Sequence, residues 1–93
     1  MAELTSDIKR KYSIITAIAI GNMPTLLDIS EITKIPGSSL KRQISQLRSD
    51  YDMDIRFIVD SNTKGRSGYY HISHWGVFDR TEFLVRFSNV LDQ

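Results

Sequence analysis

Ninety-three residues, 41% hydrophobic and 25% charged, describe one soluble globular domain and exclude a disordered or collagen-like chain. Twelve basic against 11 acidic residues leave a net charge of +1, so any basic surface for nucleic acid has to be local. Cysteine is absent, which excludes disulfides and thiolate metal sites and fits a reducing cytoplasm.

Thr5, Ser6 or Asp7 can cap a first helix that runs to about Ile20 and is stopped by Gly21-Asn22. Its apolar residues Ile8, Tyr12, Ile15 and Ala19 make one stripe, and Ile14 and Ile18 widen it. A helix apolar over more than one face is central to the core or shared with a partner. The run Ile14 to Ile20 is far too short to span a membrane, and no cleavage site follows it. Lys9-Arg10-Lys11 is expected to be solvated surface, with contact to a DNA backbone as the lesser alternative.

Met23-Pro24 prevents the helix from continuing, and Thr25 or Asp28 can cap a second, the latter with Glu31 in an Asp-x-x-Glu pattern. Ile29 and Ile32 lie one turn apart, and Ile35 follows at the turn. Pro36-Gly37 breaks this helix, with glycine free to take left-handed dihedrals. Ser38 or Ser39 can cap a third helix, in which Leu40, Ile44 and Leu47 fall at i, i+4 and i+7. The opposite side carries Ser38, Ser39, Arg42, Ser45, Gln46 and Ser49, with Lys41 on the flank and no acid. Those donors suit phosphates and base edges, as a recognition helix in a major groove requires.

Asp50, Asp52 and Asp54 form an acidic connector that helps end the third helix. Residues 55–60 read as a strand with Ile55, Phe57 and Val59 on one face, and 69–73 as a second with Tyr70 and Ile72 inward. Between them 61–68 is turn chemistry, and its tip carries Lys64 and Arg66. After the connector 74–78, Asp79 and Glu82 start a last helix, whose Phe83, Leu84, Phe87, Val90 and Leu91 make a broad apolar face.

A helix-turn-helix followed by a basic-tipped hairpin resembles a bacterial winged helix-turn-helix domain. The resemblance covers about Thr25 to Phe78. It is carried by Leu26-Leu27-Asp28-Ile29-Ser30-Glu31-Ile32-Thr33-Lys34-Ile35-Pro36 and by Ser38-Ser39-Leu40-Lys41-Arg42-Gln43-Ile44-Ser45-Gln46-Leu47. Met53-Asp54-Ile55-Arg56-Phe57 and the stretch from Gly68 to Phe78 are similar to a group of small bacterial proteins of this kind. The resemblance implies a mainly α fold with a small β-hairpin (α+β): a three-helix core, a wing and a C-terminal helix. In one domain over residues 1–93, the helix-turn-helix takes about 26–49, the wing about 55–73 and the last helix about 79–91. Many winged-helix families place a glycine between recognition helix and wing, where this chain has Tyr51-Asp52-Met53-Asp54.

The expected activity is sequence-specific binding of double-stranded DNA, as a transcriptional regulator. Arg42 and Gln46 would read bases; Ser38, Ser39 and Lys41 would hold phosphates; Lys64 and Arg66 would anchor the wing. The alternative is a protein-interaction module on the same scaffold. The surplus of apolar residues on the first and last helices points to a homodimer through them, the competing expectation being that they cover each other within one chain. His71 and His74 lack a third ligand, and the aspartate series lacks the glycine and distal glutamate of a calcium loop. No Ser-His-Asp arrangement or phosphate-binding glycine pattern is present. Neither metal, cofactor nor catalysis is expected, and the protein should be cytoplasmic. Tyr69, Tyr70 and Trp75 could stack on single strands, but aromatics so placed more often close a core.

Overall fold

Thr5 opens the first helix: its hydroxyl accepts the Ile8 amide at 3.2 Å, satisfying one of the end's orphan donors. The computed structural model describes residues 5–59 and 68–92, and over these the chain forms α1 (Ser6–Ile20), α2 (Leu26–Thr33), α3 (Gly37–Asp50), β1 (Asp54–Val59), β2 (Gly68–His74) and α4 (Arg80–Phe87), with a 3₁₀ segment at Ser88–Asp92. The strands pair antiparallel as one two-stranded sheet, so the fold is α+β and mainly helical. Among the described residues no helix is long and apolar enough to cross a membrane.

Helix α1 is the axis of the core. Ile14, Ile15, Ala17 and Ile18 are buried against Ile29 of α2, Leu40, Ile44 and Leu47 of α3, Ile55 and Ile72 of the sheet, and Phe83 of α4. Its buried hydroxyls cost little, because Ser13 donates to the Lys9 carbonyl and Thr16 to the Tyr12 carbonyl, each at 2.8 Å. Gly21 ends α1 in extended backbone (φ −73°), and a Cβ there would lie 2.7 Å from the Ala17 carbonyl oxygen. Crowding, not a left-handed dihedral, requires glycine at that point.

At α2 the alternative of Asp28 as cap is overturned. Thr25 is the cap and Asp28 the third helical residue; each side chain accepts the other's backbone amide, at 3.1 and 3.0 Å. The turn to α3 also differs from expectation. Its left-handed residue is Lys34 (φ 63°, ψ 22°), whereas Gly37 is already helical and Pro36 is the cap position. The turn is tied by hydroxyls instead: Ser30 donates to the Ile35 carbonyl at 2.7 Å, and Thr33 accepts the Ile35 amide at 3.3 Å. Neither Ser38 nor Ser39 caps α3, because the helix starts before both.

Between α3 and β1 the left-handed turn falls on Asp52 (φ 55°), a conformation more often given to glycine. In the hairpin Ile55 faces Ile72, Phe57 faces Tyr70 and Val59 faces Gly68, with an irregularity at Asp54. The expected inward face exists, but burial fades along it: Ile55, Ile72 and Tyr70 are buried, whereas Phe57 is 45% and Val59 59% exposed. The outer half of the hairpin has run past the core. Trp75-Gly76 then returns the chain, with Gly76 at φ +60° and the Val77 amide on the Tyr51 carbonyl at 3.0 Å.

Asp79 caps α4 by accepting the Glu82 amide at 2.9 Å, while Glu82 pairs with Arg86 rather than reaching back. The last helix is α only to Phe87 and tightens to 3₁₀ beyond it. Tyr12 of α1 sits in an aromatic cluster with Phe78, Phe83 and Phe87, ring centroids 5.7, 5.2 and 4.7 Å away. The terminal helices therefore cover each other within one chain, taking up much of the apolar surface that suggested a dimer.

Candidate nucleic-acid interface

Helix α3 has two chemically distinct sides. Leu40, Gln43, Ile44 and Leu47 are buried, which leaves Ser38, Arg42, Ser45 and Ser49 in one solvent-facing row at i, i+4, i+7 and i+11. Lys41 and Arg48 flank that row on one side and are exposed; Ser39 and Gln46 flank it on the other and are half-buried. No acid lies on the helix before Asp50, and among the described residues Lys41 and Arg42 form no ion pair. Two cations without acidic partners are therefore presented to solvent from a rigid element. No side chain caps α3, so its first-turn amides add positive partial charge beside Ser38 and Ser39.

The structure thus brings Ser38, Ser39, Lys41, Arg42 and Gln46 onto one continuous surface, although Ser39 and Gln46 sit at its edge. Lys64 and Arg66 lie outside the described residues.

What fixes this helix in place was not read from the sequence. Gln43, only 2% exposed, donates its Nε2–H to Asp7 Oδ1 at 2.9 Å, and the other oxygen of Asp7 takes the Lys11 ammonium. Lys11 is itself 4% exposed, so part of the expected solvated cluster is buried at the junction of α1 and α3. The Gln43 hydrogen bond, then the Lys11 ammonium, hold the Asp7 carboxyl below its usual range. The other atom of the amide, Gln43 Oε1, is buried with no hydrogen-bond partner among the described residues. The available signal was position: residue 43 lies three after Leu40 and four before Leu47, inside the apolar stripe. At the other end Arg48 Nε donates to the Ile55 carbonyl at 2.8 Å and ties α3 to the hairpin.

The other polar clusters are committed locally. His74 Nδ1 accepts the Gly76 amide at 3.0 Å, and Asp54 pairs with Arg56 at 3.0 Å. Trp75 is half-buried against Phe83, ring centroids 5.7 Å apart.

Comparison with solved structures finds a DUF2131 family protein from Shewanella amazonensis that superposes with a TM-score of 0.73. The match covers 96% of this chain and 92% of that one, at 19% sequence identity. The likeness is of fold alone. No family model matches the sequence, and no curated protein does.

Proposed function

We propose that this protein is a winged helix-turn-helix binder of double-stranded DNA and a non-catalytic transcriptional regulator in the cytoplasm. In this reading α2 and α3 are the helix-turn-helix, α3 enters the major groove and the hairpin is the wing. The observation that carries it is the outer face of α3, where Lys41 and Arg42 stand exposed, without acidic partners among the described residues, beside serines and Gln46. The order of elements supports it: three packed helices, the third joined through a short turn to an antiparallel hairpin that extends past the core.

Binding to a randomised duplex library at low salt tests the reading, and no retained duplex would refute it. Arg42→Ala should cost about 1–3 kcal/mol and relax preference at one base position. Lys41→Ala should weaken all sequences alike and lower the salt slope by about 0.9.

The second reading, a protein-interaction module, draws on apolar residues left at the surface, Val85 on α4 with Phe57 and Val59 on the hairpin. The same variants separate the two, because Lys41 and Arg42 matter only to the first.

A further inference from the structure

The inner side of α3 is filled by Leu40, Ile44 and Leu47, and in the middle of that stripe stands an amide, Gln43, 2% exposed. The amide is held through one atom only. Its Nε2–H donates to Asp7 Oδ1 at 2.9 Å, while Oε1 has no hydrogen-bond partner among the described residues. A buried acceptor left so costs its desolvation, and an apolar side chain of similar length would remove that cost. Nor does Asp7 depend on the amide, because its side chain is 60% exposed and already pairs with Lys11. Stability alone is a weak reason for glutamine at position 43.

Direction is what the amide adds. Burial of Leu40, Ile44 and Leu47 holds α3 against the core but is non-directional, so it resists small rotations and slides of the helix weakly. Among the described residues, two side-chain hydrogen bonds leave α3 for other elements: Gln43 to Asp7 on α1, and Arg48 Nε to the Ile55 carbonyl on β1 at 2.8 Å. They lie about 7.5 Å apart along the axis, and together they fix the rotation and the height of the helix. No side chain caps the N-terminus of α3, so the Gln43 bond is what ties that half. Arg42 precedes Gln43 in the same turn and is exposed, so a rotation that moves one moves the other. We propose that Gln43 is a positioning residue: held by Asp7, it sets the rotation at which α3 presents Arg42 to a base edge. This rests on the DNA-binding reading above. A bidentate base contact tolerates only about 0.5 Å of misplacement. A side chain that never meets the duplex can therefore decide which base is preferred.

The test selects duplexes from a randomised library with the intact protein and its variants, and locates the base position that Arg42→Ala relaxes. Gln43→Met should melt no lower than the wild type, because the unpartnered acceptor leaves with the amide. Its discrimination at that base position should nevertheless fall at least about tenfold, the size of one bidentate base contact. The salt slope should stay as it is, since no phosphate contact is lost. Asp7→Ala should melt lower, having stranded the Lys11 ammonium, and yet flatten the same position to the same degree. The double variant should flatten it no further. Unlike effects on melting with one effect on preference separate positioning from mere support. Wild-type preference in Gln43→Met would overturn the proposal, as would wild-type preference in Asp7→Ala, which decides alone if Gln43→Met does not fold. A wild type that retains no duplex refutes the DNA-binding reading itself, an outcome distinct from both.

Discussion

Gly76 is the residue whose side chain, or lack of one, the fold can least change. At φ +60° an added Cβ would stand 2.0 Å from the Tyr51 carbonyl oxygen, the atom that accepts the Val77 amide. Gly76→Ala therefore combines backbone strain with displacement of the contact between the α3–β1 turn and the Trp75 turn. We expect a loss of at least about 2 kcal/mol in urea unfolding. The α2–α3 turn gives the opposite lesson. Pro36-Gly37 looked like the strained pair because those residue types usually mark turns, yet the left-handed dihedral sits on Lys34. Lys34→Gly should stabilise by up to about 1 kcal/mol. Gly37→Ala, helical and facing only Leu26 Cδ2 at 3.4 Å, should be neutral or gain about 1 kcal/mol. A loss from Gly37→Ala equal to that of Gly76→Ala would show that Gly37 needs its freedom after all. Such turns are poorly legible in a sequence because Ser30 and Thr33 hold the backbone through side-chain bonds that no dipeptide pattern records.

Among the elements, α1 and α3 were the most legible, since a periodic apolar stripe marks a buried face whatever it packs against. Leu40, Ile44 and Leu47 are buried as that stripe requires, and α1 lies at the centre, one of the two places its breadth allowed. The hairpin was legible in pairing but not in burial. Alternation identifies a face, while how far the core extends under it depends on the other elements, so Phe57 and Val59 share a face with Ile55 and yet emerge at the surface. Least legible was the polar clamp between α1 and α3, because Asp7 and Gln43 are far apart in sequence and their residue types suggest solvent. Its pH dependence follows from the direction of the Asp7 shift. A carboxyl whose folded value lies below its unfolded one, near 4, stabilises fully above that value and loses its effect as pH falls through the lowered one. Asp7→Asn, which also strands the buried Lys11 ammonium, should melt below the wild type at pH 7. The gap should close on acidification below about pH 4. A gap that stays constant down to the acid limit would mean that the Asp7 charge contributes nothing.

At the scale of the whole molecule, the open question in the regulator reading is how one recognition helix gains enough contact. A single α3 covers few base pairs, and two-fold pairing on half-sites about one helical turn apart is the usual remedy. The chain offers less apolar surface for such pairing than the helical stripes suggested, since Ile14, Ile15, Ile18, Phe83 and Val90 are all buried inside one protomer. What remains on the last helix is Val85, 77% exposed, beside the partly exposed Leu84 and Leu91. A homodimer through the terminal helices would therefore be centred on the outer side of α4, with α1 contributing mainly support from beneath. Val85→Asp tests this cleanly, because so exposed a position buries little in the monomer and its substitution should leave the stability of the isolated fold unchanged to within about 0.5 kcal/mol. If the helices pair, the wild type sediments as a dimer at micromolar concentration, and Val85→Asp as a monomer that binds a single half-site more weakly than the wild type binds a palindrome. A wild type that sediments as a monomer would rule the dimer out, and a dimer unaffected by Val85→Asp would move the interface to another face.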